Sequence, residues 1–479
     1  MILREEGMVM TNTIETQTRA DGLSRTLAAR GRLITRMSIG AASVLALSLA
    51  ACNTTDMVKV DDPDVPGTAS LNGVTGLPVL LAGAVGDFKL AYQGTGAGTS
   101  PGGQIVASGL LGDEIGSADT YPARQEWDQR STENTNLTNS SFFSALQRAR
   151  SSADRVADNF ATLAPDNSGR VLMLALSGFS TVILGENYCS GIPFSSLDAG
   201  GTAITYGDPL PTSLVWARAI AKFDSAVTLS SDSLRNLAAI GLGRALLDSG
   251  MYDAAAAAVT SVPAKFVYNI ESSATTTGLN NGVWTDINNN KRLFIADKKG
   301  TNGLPYRSAN DPRVKWQDLH TVGYDGVTPM YIQLKYPDRP VPAPLATSAE
   351  ARLIEAEAAL HAGNAALFLT KLNAARAEFA GTTPLTASDI PVSTDARVNL
   401  LFQERGFSLW LTAHRVGDMR RLIRQYKRDP ESVFPTGNWF KGPASSPSSV
   451  IPYGPDVNFP IPQQEENNPK FTGCLDRKA

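Results

Sequence analysis

From about Ser70 onward the apolar residues recur at three- and four-residue steps, the spacing of one helix face, with long polar stretches between them. The clearest run begins at Trp216: Trp216, Ile220, Phe223 and Val227 fall on one face and predict a helix. Ser231-Asp232-Ser233 then offers side-chain oxygens that can cap a second helix over Leu234 to Leu247. Asp248 to Tyr252 predicts a tight turn, and a third helix over Asp253 to Val259 stops before Pro263. Ala351 to Phe379 follows the same grammar, with Ala358, Leu360 and Gly363 in the places of Ala245, Leu247 and Gly250. Small residues there let two helices approach, and Gly supplies the left-handed residue that ends the first.

Ala226-Val227-Thr228 and Ala258-Val259-Thr260 stand 32 residues apart, close to the ~34-residue period of tetratricopeptide hairpins. The expected fold is therefore mostly α, a scaffold of tetratricopeptide-like hairpins over about 212–262 and 347–380; alanine-rich hairpins of no particular class are the alternative. Lys265 to Leu345 differs, being rich in Asn, Gly, Asp and Pro with short alternating pieces such as Tyr331 to Tyr336. It is too long for a passive connection and predicts an irregular, loop-rich lobe with a few short strands. Asn399 to Tyr426 predicts a long amphipathic helix interrupted at Gly417, whose Glu404, Arg405, Arg415 and Asp418 sit among apolar positions. Charges so placed predict a buried, paired network, with Arg415 and Asp418 as an i,i+3 pair, because an unpaired buried charge is too costly.

Composition narrows the class. The 479 residues would suit about three domains at ~150 residues each, and 42% hydrophobic against 19% charged residues supplies a sizeable core. Lys plus Arg at 43 against Asp plus Glu at 46 leaves a net charge of −3, without the basic excess of a general nucleic-acid binder. Three His and three Cys cannot furnish several zinc sites.

At the N-terminus, Arg19, Arg25, Arg30, Arg32 and Arg36 precede an uncharged, weakly apolar stretch from Met37 to Ala51. It is shorter than the roughly 20 residues of a membrane span and suits a signal-peptide core. It ends Leu49-Ala50-Ala51-Cys52, which resembles the bacterial lipobox. That resemblance implies a signal segment over 1–51 and acylation of Cys52, with an ordinary secretory signal as the alternative. Residues 52–65 are polar and predict an extended tether. No later run is expected to span a bilayer, leaving lipid as the anchor. With Cys52 acylated, Cys189 and Cys474 remain, either as a disulfide, as is common outside the cytoplasm, or as two unpaired buried cysteines.

The C-terminal motifs are more specific. Glu404-Arg405-Gly406-Phe407-Ser408-Leu409-Trp410, then Ala413-His414-Arg415 and Asp418-Met419-Arg420-Arg421, resembles the "ER-x-x-EL…R-x-x-DL-R" signature of the SusD/RagB family. Pro460-Ile461-Pro462 with Glu466 and Asn468-Pro469 is similar to its closing "PIP…E…NP" segment. Ala356-Glu357-Ala358 and Asp311-Pro312-Arg313 match its "AEA" and "DPR" segments, while Gly112-Asp113-Glu114, Trp127 and Tyr188 to Phe194 look like divergent first-half motifs. Ser408 replaces the second acidic residue of the signature, and Thr412-Ala413 its usual "EG". The resemblance implies one SusD-like domain over 66–479, with an irregular ligand lobe about 265–345 and the signature helix and tail over 395–479. It also implies a function without catalysis: a lipid-anchored outer-membrane protein, facing the cell surface, that binds an oligosaccharide and caps a SusC-like TonB-dependent barrel as a lid for uptake. A peptide-binding member and a lipid-anchored protein-interaction scaffold are the alternatives.

Sugars are held in water by flat aromatic platforms together with amides and carboxylates. Trp216 and Trp410 fall on helices and read as core, whereas Trp127, Trp284, Trp316 and Trp439 fall in loop-like contexts. Trp127 with Asp128, Trp284 with Asn288, and Trp316 with Tyr306 and Tyr324 are the candidate ligand contacts; for each aromatic the competing reading is an anchor packed into the body. Asp286, Asn288, Asn290 and Asp297 stand at offsets 1, 3, 5 and 12 of a calcium loop, but Lys291 occupies the Gly position and Phe294 cannot ligate, so no cofactor is expected. The sequence holds no G-x-S-x-G, P-loop or H-E-x-x-H motif, and His414 with Asp418 reads as structural pairing.

Overall fold

The computed structural model describes residues 71, 73–97, 102–197, 203–230, 233–443 and 445–479. The signal segment, Cys52 and the tether lie outside them. Helices form where the apolar periodicity runs longest: α1 (Leu77–Tyr92), α2 (Gly103–Leu111), α3 (Pro122–Asp128), α4 (Leu137–Leu163), α5 (Ser168–Asn187), α6 (Thr212–Leu229), α7 (Ser233–Asp248) and α8 (Tyr252–Val259), then α9 (Ser348–His361), α10 (Ala365–Arg376), α11 (Thr394–Ser408) and α12 (Arg415–Arg424). Asn136 and Asn167 start α4 and α5 as side-chain caps. From α4 to α8 each helix packs on the next, α8 packs on α9, and α9 on α10. Both expected hairpin segments are present.

The hairpin turns share one chemistry. Gly250 and Gly363 adopt φ of 76° and 69°. Gly250 N donates to Leu247 O and Met251 N to Leu246 O; Gly363 N donates to Leu360 O and Asn364 N to Ala359 O. This paired pattern satisfies the last carbonyls of the helix and needs a left-handed residue. Deeper in, the Phe223 ring of α6 fills a slot between Gly178 of α5 and Gly241 of α7, where an added Cβ would stand 2.7 and 2.2 Å from the ring.

One expectation is corrected. Ser168–Asn187 is long and apolar enough to cross a membrane by length and composition, as is Val74–Tyr92. In α5 the apolarity has a packing cause: Met173 to Asn187 are buried without a break, because helices cover it on several sides.

After β1 (Ile115–Ser117) and the two-residue strands β2 (Ile192–Pro193), β3 (Ser196–Leu197), β4 (Ile204–Thr205) and β5 (Pro209–Leu210), the middle lobe carries β6 (Val267–Ile270), β7 (Leu293–Ile295), β8 (Trp316–Val322), β9 (Pro329–Gln333) and β10 (Ala343–Thr347). Its strands pair antiparallel: β8 with β9 in the register Trp316↔Gln333, β6 with β10, and β7 with β1. Near the C-terminus, β11 (Asn438–Lys441) pairs with β12 (Ser449–Pro452). Cys189, just past α5, forms a disulfide with Cys474, and Cys189 N donates to Phe459 O beside it.

The signature segment is two helices rather than one. The break lies at Leu409–His414, where Leu411 and Ala413 adopt φ of 53° and 60°, and Gly417 sits inside α12. Folding back here brings the charges into a buried lattice. Glu404 accepts from Arg313 and Arg376, both at 2.6 Å. Asp418 bridges Arg405 and Arg421 at 2.8 Å each, and Arg421 continues to Glu357. Burial raises the Asp418 pKa, but the two guanidinium groups outweigh it and hold the carboxyl well below the usual range. Arg415 pairs with Asp113 rather than Asp418, and His414 with Glu350 rather than Asp418, because the break turns both side chains toward other elements.

Gly241→Ala is expected to destabilise the fold by about 1–3 kcal/mol by overpacking the Phe223 slot. The double variant with Phe223→Leu should recover part of the loss, as denaturant titration would read. Glu114 gives a pH test. Its Oε1 accepts from Leu411 N at 2.9 Å while Oε2 has no partner, and burial pushes its pKa up to about 8. A carboxyl raised on folding favours the fold fully below its unfolded pKa, and that contribution is lost as pH rises through about 8. The melting temperature of Glu114→Gln, minus that of the parent, should therefore rise between pH 6 and 9.

Candidate ligand-binding face

The β8–β9 hairpin stands on the irregular lobe with an accessible outer side: Gln317, His320, Thr321 and Val322 are exposed. A register shift between Asp318 and Val322 bends it, with His320 at φ 50° and its N bonded to Asp318 Oδ1. At the base, Trp316 and Tyr331 meet edge to face across the strands, 5.9 Å apart. Arg307, from the loop before β8, lies 3.6 Å from the Tyr331 ring centre and 5.6 Å from that of Trp316. Both rings are half-buried. A guanidinium against two aromatic faces fixes their orientation by cation–π attraction. At the tip Tyr324 is 54% exposed, its ring 3.8 Å from Arg292, which is anchored on Asp119 at 2.6 Å. Tyr324 N also donates to Lys291 O, so the tip is tied to the body.

Of the sequence-derived contacts, Trp316 and Tyr324 lie on this hairpin. Trp284 is half-buried and packs on the core, as do Trp316 and Tyr331 on their inner sides. Asn288 spends both ends of its amide on Gln333, donating to its backbone O and accepting from its Nε2, which clamps β9 to the body. Three expected contacts are anchors instead. Trp127 is fully buried between Phe142 and Phe459, at 4.9 and 5.0 Å. Asp128 is buried, with Oδ2 accepting from Ser117 N and Trp439 Nε1 and Oδ1 paired with Lys299. Tyr306 is buried against Phe407 and donates to Asp113. Polar neighbours in the sequence mimic a sugar site, but these satisfy buried groups. Trp439 is likewise buried, on β11. The calcium reading fails on the same ground: Asp286 is committed to Arg124, and Asp297 to the backbone at Arg307 and Ser308.

Arg307 and Tyr331 were not singled out by sequence. The cross-strand diagonal that joins Tyr331 to Trp316 becomes visible only once the strand register is known.

Residues 348–470, which hold the hairpin α9–α10 and the charged lattice of α11 and α12, match the SusD family. The C-terminal part of the chain is thus similar to the SusD family. Solved SusD structures share the fold over most of their length. A SusD superfamily protein from Bacteroides fragilis is 16% identical, with a TM-score of 0.60 over 84% of this chain and 99% of that one. A SusD-like carbohydrate binding protein from Bacteroides vulgatus ATCC 8482 is 16% identical, with a TM-score of 0.57 over 84% and 98%. A SusD homolog from Bacteroides thetaiotaomicron VPI-5482 is 12% identical, with a TM-score of 0.59 over 84% and 97%. No curated protein matches the chain at a significant level.

Arg307→Ala is expected to free the Trp316 ring. Acrylamide quenching of tryptophan emission should rise in that variant and stay at the parent level in Arg307→Ala/Trp316→Phe.

Proposed function

We propose that this chain acts as a SusD-type protein: it binds an oligosaccharide on the β8–β9 hairpin and delivers it without cleavage to a SusC-like TonB-dependent barrel, which it caps as a lid. The observation that carries the reading is the aromatic shelf of Trp316 and Tyr331 held by Arg307, with Tyr324 exposed at the same hairpin's tip. Pyranose rings present an apolar face that packs on an aromatic ring, while their hydroxyls need donors and acceptors at the rim. Asp318, two residues on along β8 and opposite Tyr331, stands on the same face to supply an acceptor. The SusD-like carbohydrate binding protein of the same fold supports this class of ligand. In this reading residues 1–51 direct export, Cys52 carries the lipid, residues 52–65 tether one domain spanning 66–479 to the outer membrane, and the protein faces the cell surface.

The test is a titration of the soluble chain from Asn53 onward with oligosaccharides and peptides, followed by tryptophan fluorescence. A saturable response to an oligosaccharide, weakened at least about tenfold in Trp316→Ala, with the sugar recovered intact, is expected. A response unchanged by Trp316→Ala, or one given only by peptides, would overturn it.

A further inference from the structure

A second feature lies away from the hairpin, in the segment that carries the family signature. A pocket of about 370 Å³ opens between α11, α12, the turn at Asn302–Leu304 and the short helix α13 (Pro430–Val433). That volume admits a single sugar-sized molecule. Arg415 lines it although only 6% exposed. Its Nε and Nη2 are spent on Asp113. Nη1 makes no hydrogen bond among the described residues, so one arm of a rigidly held guanidinium is uncommitted. Arg428, at the rim, uses Nη2 on Asp395, donating to its backbone O at 3.1 Å and pairing with its carboxylate at 3.3 Å. Asn399 and Gln403 stand one helical turn apart on α11, exposed and lining the same pocket. Leu304 and Leu422 give it an apolar wall. No carboxylate is among the residues lining it.

Two arginines, two carboxamides and an apolar wall, with the nearest acid, Asp395, outside the lining at Arg428, select a ligand with a carboxylate, hydroxyls and a hydrophobic face. We infer that this pocket binds a small acidic sugar of the uronate class, with the guanidinium groups at its carboxylate and the amides of Asn399 and Gln403 at its hydroxyls. Arg415 is suited to this because Asp113 fixes its orientation beforehand, so little side-chain freedom is lost on binding. The site is separate from the aromatic hairpin and does not rest on that reading.

Calorimetric titration of the full chain with D-glucuronate and with D-glucose tests it. Glucuronate should bind saturably with one site, and glucose at least about tenfold more weakly. Raising salt from about 0.05 to about 0.5 M should weaken glucuronate alone, as screening acts on the charge. Asn399→Ala/Gln403→Ala, at two exposed positions, should lower glucuronate affinity about tenfold. Absence of saturable glucuronate binding, equal affinity for glucose, or salt-independent binding would each overturn the proposal, whether or not the double variant folds. Unchanged affinity in a folded double variant would overturn it as well.

Discussion

A charge taken out of water must be met by another, and that demand organises this protein. α12 brings Arg415, Asp418, Arg420 and Arg421 into the interior within two turns, all of them buried. Each needs a partner that its own helix cannot supply in full. Arg415 takes Asp113, Arg421 takes Glu357, and Arg420 donates to the carbonyls of Gly185, Glu186 and Tyr188 at the end of α5. Arg244 of α7 closes the set by pairing with Glu186 and touching His414. α12 is thereby the point at which the early helices, the hairpin α9–α10 and the tail are fastened together. Replacing one partner would strand the other in a low-dielectric interior, which costs more than such a pair contributes in net stability.

The same demand explains the break before α12. A continuous helix would have kept His414, Arg415 and Asp418 on neighbouring faces. Two left-handed residues, Leu411 and Ala413, reverse the chain instead. The backbone they expose is met locally: Leu411 N donates to Glu114, while Tyr336 Oη donates to Leu411 O and Arg244 to Ala413 O. Non-glycine residues in that region are strained, and the hydrogen bonds on both sides hold them there.

What could be read from the sequence follows from how far apart the interacting residues stand. The helical hairpins were legible because their signals are local: apolar spacing and Gly250 or Gly363 at the turn; the Ser231-Asp232 start lies outside the described residues. The need for a charged lattice was legible too, since charges on an apolar helix admit few alternatives. Its partners were not: Asp113 lies 302 residues from Arg415, and nothing in the spacing names it. The aromatic candidates divided for a related reason. Trp127 and Trp316 both sit near polar residues, yet Trp127 lies under the tail at Phe459, whereas Trp316 sits on a strand with an open side. Local composition cannot distinguish those two fates, and Arg307 reaches its rings only through tertiary structure.

The long reach of these contacts bears on how the chain must assemble. Asp113, Glu114 and Asp128 are all fully or nearly fully buried, and they meet Arg415, Leu411 and Trp439 from a part of the chain roughly 300 residues later. A polypeptide threaded from its N-terminus therefore carries these carboxylates through most of its synthesis or passage without the groups that make their burial tolerable. The first third has no complete interior of its own, and closure waits for the final segment. Long-range pairing of this kind slows folding, because the entropy of closing a very large loop is lost before the contacts repay it. Its early and late segments share one interior, which is finished only when the end of the chain arrives.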